Sequence, residues 1–262
     1  MAVSDVAFPG GAQPARPDGQ HEAMSPAASV AGIPVRRIRW RACYRMIPSR
    51  FPPINLFERV SDPDDLDAVI ALESMTNDRL RDEVGDIQLV PADQRVAGPG
   101  AGYVMAAFTH TPPGGGRFSD ARHGAYYAGQ TLATSIAETS YHRAKFMAAT
   151  KQPPMHLDMR VLVAELDARM HDIRGMKAQL PAVYDPDDYG ASQAFARAAR
   201  RDGSDGIAYD SVRLEGGRCV AVFNPRRVRN CREVQHLTYV WDGERITGVY
   251  EKRDLPGNMT AT

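Results

Sequence analysis

The sequence predicts an α+β fold built on a split, mostly antiparallel sheet with flanking helices. Three observations point there: strand-like and helix-like segments are mixed along the chain, hairpin signals outnumber crossover units, and 262 residues suffice for one large domain with an ordinary core.

Residues 1–35 open with "MAVSDVAFPGGAQPARPDGQHEAMSPAASVAGIP", which is dominated by Ala, Gly, Pro and Ser. So few large apolar side chains cannot offset the entropy of ordering, so a disordered arm is expected, followed by a single domain over 36–262. At "VRRIRWRACYRMI" strict alternation begins, with Ile38, Trp40, Ala42 and Tyr44 on one face and Arg37, Arg39, Arg41 and Arg45 on the other. This is the first expected strand. A helical insertion is expected near 61–100, where Ser61 or Asp62 can cap, Pro63 suits a first turn and acidic residues complement the helix dipole.

"YVMAAFTH" reads as a strand entering the Gly/Pro-rich loop "TPPGGG", Ala125 to Ala128 as another strand, and Leu132 to Met147 as a helix. After it come a long strand, "HLDMRVLVAELD", and a helix, "DYGASQAFARAARRDG", stopped at Gly203. "GIAYDSVRLEGGRCVAVFNP" gives two strands around an EGG turn. "HLTYVWDGERITGVY" closes the fold as a hairpin, with Asp242-Gly243 supplying the positive φ angles of a tight turn.

Lys plus Arg and Asp plus Glu both total 32, so no global field draws the chain to nucleic acid or an anionic membrane. Cys43, Cys219 and Cys231 are odd in number and widely spaced, without a CxxC pair or a zinc-like His spacing. A reducing, cytoplasmic setting without structural metal is therefore expected. No apolar run approaches the roughly 18 residues of a membrane span, and no secretory signal pattern opens the chain.

The chemistry-bearing residues are ambiguous on pattern alone. On a helical wheel Leu132, Ala133, Ile136, Ala137, Ser140, Ala144 and Met147 form an apolar stripe, with Glu138 nearly opposite. The plain reading makes Glu138 a solvated residue paired with His142 at i,i+4, worth a few tenths of a kcal/mol. "GGGR" lacks the Gly-Lys-Ser/Thr of a nucleotide cradle, "NPRRVRNCR" reads as a solvated basic surface, and Ser211 lacks the setting of a nucleophile elbow.

Taken together, "YRMI" at 44–47, "GGRFS" at 115–119, "YYAGQTLATSIAETSYH" at 126–142 and "YDSVRLEGGRCVAVFNP" at 209–225 resemble the RES domain family, toxins of bacterial toxin-antitoxin pairs. The resemblance spans about residues 40 to 230 and matches the family's Arg, Glu and Ser to Arg45, Glu138 and Ser211. It implies a fold similar to ADP-ribosyltransferase toxins and consumption of NAD as substrate, with no metal. Glu138 and Arg45 are then the catalytic candidates, and Arg45, Arg117, Ser119, Tyr127 and Ser211 the cofactor contacts. Ser211 is left either to bind the cofactor or to hold Arg45. The resemblance further implies cleavage of the nicotinamide-ribose bond, with water or phosphate as acceptor, and a cognate Xre-like antitoxin as partner, without direct nucleic-acid contact. An ADP-ribosyltransferase acting on a host protein, a ribonuclease toxin and a non-catalytic binding module remain as alternatives. The long arm and the insertion exceed a compact RES domain.

Overall fold

The computed structural model describes residues 29–50, 55–60, 62–66, 68–70 and 84–253. Most of the expected arm, residues 1–28, and the middle of the expected helical insertion, 71–83, lie outside the described residues.

Among the described residues seven strands form one sheet: β1 (Val35–Pro48), β2 (Tyr126–Gly129), β3 (Met155–Asp172), β4 (Gly206–Asp210), β5 (Arg218–Val222), β6 (Val228–Trp241) and β7 (Ile246–Lys252). Their order is β1-β2-β5-β4-β3-β6-β7, and β1 additionally pairs with β3, so the sheet curls back on itself. Every pairing is antiparallel except the short one between β3 and β4. That exception has a reason: a parallel neighbour needs a crossover, and the chain supplies one as a helix between those two strands. The helices bounded wholly within the described residues are α1 (Asn55–Arg59), α2 (Ala101–Thr109), α3 (Leu132–Ala149) and α4 (Gly190–Arg201), the last being this crossover. The architecture is the mixed α+β arrangement with a mostly antiparallel sheet that the pattern predicts.

Three apolar clusters hold it together. The largest joins Ile38, Trp40 and Cys43 of β1 to Leu162 and Leu166 of β3 and to Val104, Met105 and Phe108 of α2. The second packs Phe195 and Ala199 of α4 on Ile207, Tyr209 and Ala221. A smaller one places Met46, Met159, Val161, Leu237 and Tyr239 against Leu132 and Ile136 of α3.

Two local expectations are corrected. The segment "YVMAAFTH" is helical, not extended: α2 buries Val104, Met105, Ala107 and Phe108. A short apolar run buried on several sides has no period that separates a strand from a helix. What starts the helix is Gly100, at φ +80, where a Cβ would fall 1.9 Å from the Cys231 carbonyl oxygen. In the turn between β6 and β7, residues 242–245, only Gly243 has positive φ (+107). Asp242 instead accepts from the backbone N–H groups of Glu244 and Arg245, both at 2.8 Å, making a four-residue loop.

β1 departs from strict alternation where it matters most. Between Trp40 and Cys43 its register against β3 shifts by one residue, a bulge that sets two residues of β1, Arg41 and Ala42, against one of its partner, Glu165. Ile38, Trp40 and Cys43 therefore share the buried face, and Arg45 follows Cys43 onto it. The expectation that Arg45 lies with Arg37, Arg39 and Arg41 is overturned, because one extra residue exchanges the two faces of everything after it.

At the start of the insertion Asp62 is the cap, its carboxylate accepting from the Asp64 N–H at 3.0 Å, with Pro63 opening a 3-10 turn. Leu66 and Val84 are buried in the largest cluster.

Candidate active site

The floor of the site is made where β2 turns into α3. Thr131 caps the helix by accepting from the Thr134 N–H at 3.2 Å. Ser135 then pins the first turn to two strands at once, accepting from Gly129 N at 3.2 Å and donating to the Tyr44 carbonyl at 2.7 Å. A Cβ on Gly129 would lie 2.6 Å from the Ser135 hydroxyl, so this junction requires glycine. One turn further on, at helical spacing from Ser135, come Glu138, Thr139 and His142, and all four line one cavity.

This corrects the solvated placement of Glu138. Leu132 and Ile136 do pack on the sheet, but Ala133 is exposed, and the polar side of the helix faces an internal cleft rather than bulk water. A periodic stripe identifies one packed side; it is silent on whether the opposite side meets solvent or a cavity.

Glu138 is held firmly. Its Oε1 accepts from the Ser211 hydroxyl at 2.5 Å and from Val212 N–H at 3.3 Å, and the Cys219 sulfur lies 4.0 Å away. All three contacts fall on Oε1, which leaves Oε2 to a ligand. Ser211 is itself fixed: its N–H donates to Gly217 O at 2.8 Å, and its hydroxyl oxygen accepts from the N–H groups of Arg213 (3.1 Å) and Leu214 (3.0 Å). Ser211 is buried and does not line the cavity. Of the two roles left open for it, cofactor contact and support of Arg45, the geometry displays neither; its hydroxyl is directed to Glu138. Burial of Cys219 beside this carboxylate pushes its thiol pKa upward and keeps it protonated.

The cavity has a volume of about 390 Å³ and brings together Arg45, Arg117, Ser119, Tyr127, Glu138 and His142. Arg45 reaches it from the buried face of β1, with its guanidinium 5.0 Å from the Tyr126 ring centre and Nη1 donating to Tyr127 O at 3.2 Å. Burial lowers its pKa, an effect that the surrounding tyrosines and Cys231 oppose. Tyr127 is tied to the Gly-rich loop: its hydroxyl accepts from Phe118 N–H at 2.8 Å and donates to Ser119 Oγ at 3.0 Å. Ser119 Oγ also accepts from Gly116 N–H at 2.9 Å. Arg117 is buried under Tyr189, its guanidinium 4.9 Å from that ring centre, and Nη1 donates to the carbonyls of Val183 (3.1 Å) and Asp185 (2.6 Å). Tyr44 packs against the cluster beneath α3 and also borders the cavity.

Arg143, Tyr189, Tyr209 and Cys219 also line the cleft and were not anticipated as site residues. Each comes from a different element, and no spacing in the sequence announces them. Loss of solvation at the cleft wall lowers the His142 pKa, with the charge of Glu138 acting in the opposite sense. The "NPRRVRNCR" segment borders a larger, open groove of about 730 Å³ on another part of the surface. There Arg226 and Arg229 are exposed and Arg227 pairs with Asp205 at 2.8 Å, as a solvated basic surface would be. Among the described residues no group of His, Cys, Asp and Glu is placed to hold a metal ion, and no helix is long and apolar enough to cross a membrane.

A carboxylate with one oxygen anchored and one available, an aromatic wall and several guanidinium groups in one small cleft suit a ligand that carries both a developing positive charge and anionic groups.

The RES domain family matches residues 93–242, a stretch that contains Arg117, Glu138 and Ser211 and begins after Arg45. The uncharacterized protein y4oC of Sinorhizobium fredii (strain NBRC 101917 / NGR234) is 30% identical over 208 residues, covering 79% of this chain and 86% of that protein. Among solved structures, the M. tuberculosis MbcT-MbcA toxin-antitoxin complex gives a TM-score of 0.41 at 12% identity, covering 80% of this chain and 87% of the matched chain.

Proposed function

The chain belongs to the RES domain family, and on that premise we propose that it is the toxin of a toxin-antitoxin pair, consuming NAD by breaking the bond between nicotinamide and ribose. The observation that carries this reading is Glu138, anchored by Ser211 through one oxygen at the wall of a cleft that also holds Arg45 and Tyr127.

The chemistry needs only one carboxylate. Nicotinamide is bound to ribose as a cationic pyridinium and departs neutral, so no acid has to protonate the leaving group, whereas an ordinary glycosidase must protonate an alkoxide and uses two carboxyl groups. Glu138 Oε2 accepts a hydrogen bond from a ribose hydroxyl and stabilises the oxocarbenium charge as it develops, an effect enlarged where water is scarce. Ser211 contributes by keeping that carboxylate in one orientation. The Tyr127 ring offers an aromatic face to the pyridinium, and because its hydroxyl is tied to the Gly-rich loop the ring is already in place. Arg45 serves the diphosphate.

A small acceptor, water or inorganic phosphate, suits a cleft of this size better than a protein side chain, which would need an open recognition surface beside Glu138. The reading treats residues 36–262 as one domain, since the site draws on β1, α3 and the β4–β5 turn together. A chain that drains NAD must be restrained in its own cytoplasm, so a cognate Xre-like antitoxin is expected to cover the cleft and to carry any DNA contact.

Expression of the chain in bacterial cells tests this. The cellular NAD pool should fall before growth stops, and co-expression of the neighbouring antitoxin should prevent both. Growth arrest at a constant NAD pool would reject the reading, and ADP-ribose found attached to one cellular protein would replace it by protein ADP-ribosylation.

A further inference from the structure

Arg143 stands on α3 immediately after His142 and lines the same cleft. Among the described residues it makes no hydrogen bond and no ion pair; its guanidinium lies 5.9 Å from the Phe146 ring centre. Its Nε is buried without a partner, and the same is true of the Nε of Arg45 across the cleft. Burial depresses the pKa of Arg143, and the positive charges of Arg50 and Arg45 depress it further, with only Tyr239 acting the other way. Two partly buried guanidinium groups that repel each other, with buried N–H groups left over, are a costly arrangement for a protein to keep without an anion to share. The carboxylate of this cleft is not that anion: among the described residues Glu138 makes no ion pair with either arginine, and its bonds run from Oε1 to Ser211 and Val212.

Arg117 presents the opposite case. Nη1 is committed to the carbonyls of Val183 and Asp185, and Tyr189 stacks over the group, so this arginine fastens the chain before α4 to the cleft. We propose that Arg143, together with Arg45, forms the seat for a diphosphate in this cleft, and that Arg117 holds the loop that walls it. The identity of the diphosphate as that of NAD rests on the proposed function; the anion seat itself does not. Guanidinium groups on β1 and on α3 approach the seat from two elements, which suits the two phosphoryl groups of a diphosphate better than a single carboxylate.

The test uses the whole chain and two probes, inorganic pyrophosphate and ADP-ribose, titrated calorimetrically into wild type, Arg143→Gln, Arg143→Lys and the exposed control Arg245→Gln. Arg143→Gln should weaken both probes by roughly tenfold or more, Arg143→Lys by less, and the control not at all. With NAD the loss should appear in KM rather than kcat, as expected for a contact already made in the ground state. Because the substitution removes one of two repelling charges, Arg143→Gln should melt no lower than wild type without ligand and gain less stability from pyrophosphate. Unchanged pyrophosphate affinity in the folded variant overturns the seat, as does normal NAD turnover with an unchanged KM. Pyrophosphate binding that depends on Arg143 in a chain that neither binds nor cleaves NAD upholds the seat and rejects the NAD reading.

Discussion

Along β1, Arg36, Arg37 and Arg39 are more than half exposed, and each has an acid: Asp172 at 3.6 Å for Arg36, and Asp167 at 2.7 Å and 3.3 Å for Arg37 and Arg39. Arg45, on the same strand beyond the bulge, has no carboxylate at all among the described residues and is turned inward over Tyr126. The first group behaves as an ordinary surface, where each charge finds a partner and water does most of the solvation. The second is a cation kept in a place that folding alone does not favour. The difference separates charges that solubilise a strand from a charge buried without an acid, the kind of group the proposed diphosphate site calls for, and a single inserted residue decides which side of that line an arginine falls on.

Substitutions can break that comparison at points of decreasing effect. The largest belongs to the carboxylate of the same cleft: Glu138→Gln keeps the shape and removes the charge, and NAD turnover should fall by roughly a hundredfold or more with binding retained. Turnover within a few-fold of wild type in a folded variant removes Glu138 from the chemistry. Arg45→Ala should come next, weakening NAD affinity by roughly tenfold or more, because charge-assisted contacts to a diphosphate exist already in the ground state. An unchanged dissociation constant by calorimetry would place Arg45 among the structural arginines after all.

Arg37→Ala should do least. Turnover stays at the wild-type value, and the only loss is a slight one in melting temperature. Its pH dependence has a definite sign. The hydrogen bond from Arg37 holds the Asp167 carboxyl down to about 2 against an opposing effect of lost solvation, and the charges of Arg37 and Arg39 add to the depression. A lowered carboxylate pKa contributes stability that is fully present above the usual carboxylate pKa of about 4 and is lost as pH falls. The gap in melting temperature between wild type and Arg37→Ala should therefore close between about pH 4 and about pH 2, where the folded-state titration lies. A gap that widens on acidification contradicts the assignment.

The parts of this molecule legible in the sequence are those governed by short-range rules. Alternation located β1 and β3, Gly203 at φ +73 stops α4 as its sequence suggests, and the EGG turn joins β4 to β5 as expected. Glu138, Tyr127, Arg117 and Ser119 were all recognisable through neighbouring motifs, and the fold gathers them into one cleft. The illegible parts depend on tertiary packing. A bulge leaves no mark in "RWRACYR", so the true face of Arg45 was hidden. "YVMAAFTH" carries no period, so only its packing on β6 and β2 reveals a helix. The bond from Ser211 to Glu138 joins residues 73 apart in sequence, and no local pattern encodes it. Arg143 was overlooked for the same reason, since nothing in its helix says that Arg45 waits opposite.

The proposed function has this cleft break the nicotinamide-ribose bond of NAD with a small acceptor. Purified chain, given NAD alone and then NAD with inorganic phosphate, should release one nicotinamide for every NAD lost. The other product should be identified by mass as ADP-ribose, or as its phosphate ester when phosphate is present. Full recovery of intact NAD from the folded protein under both conditions would contradict it.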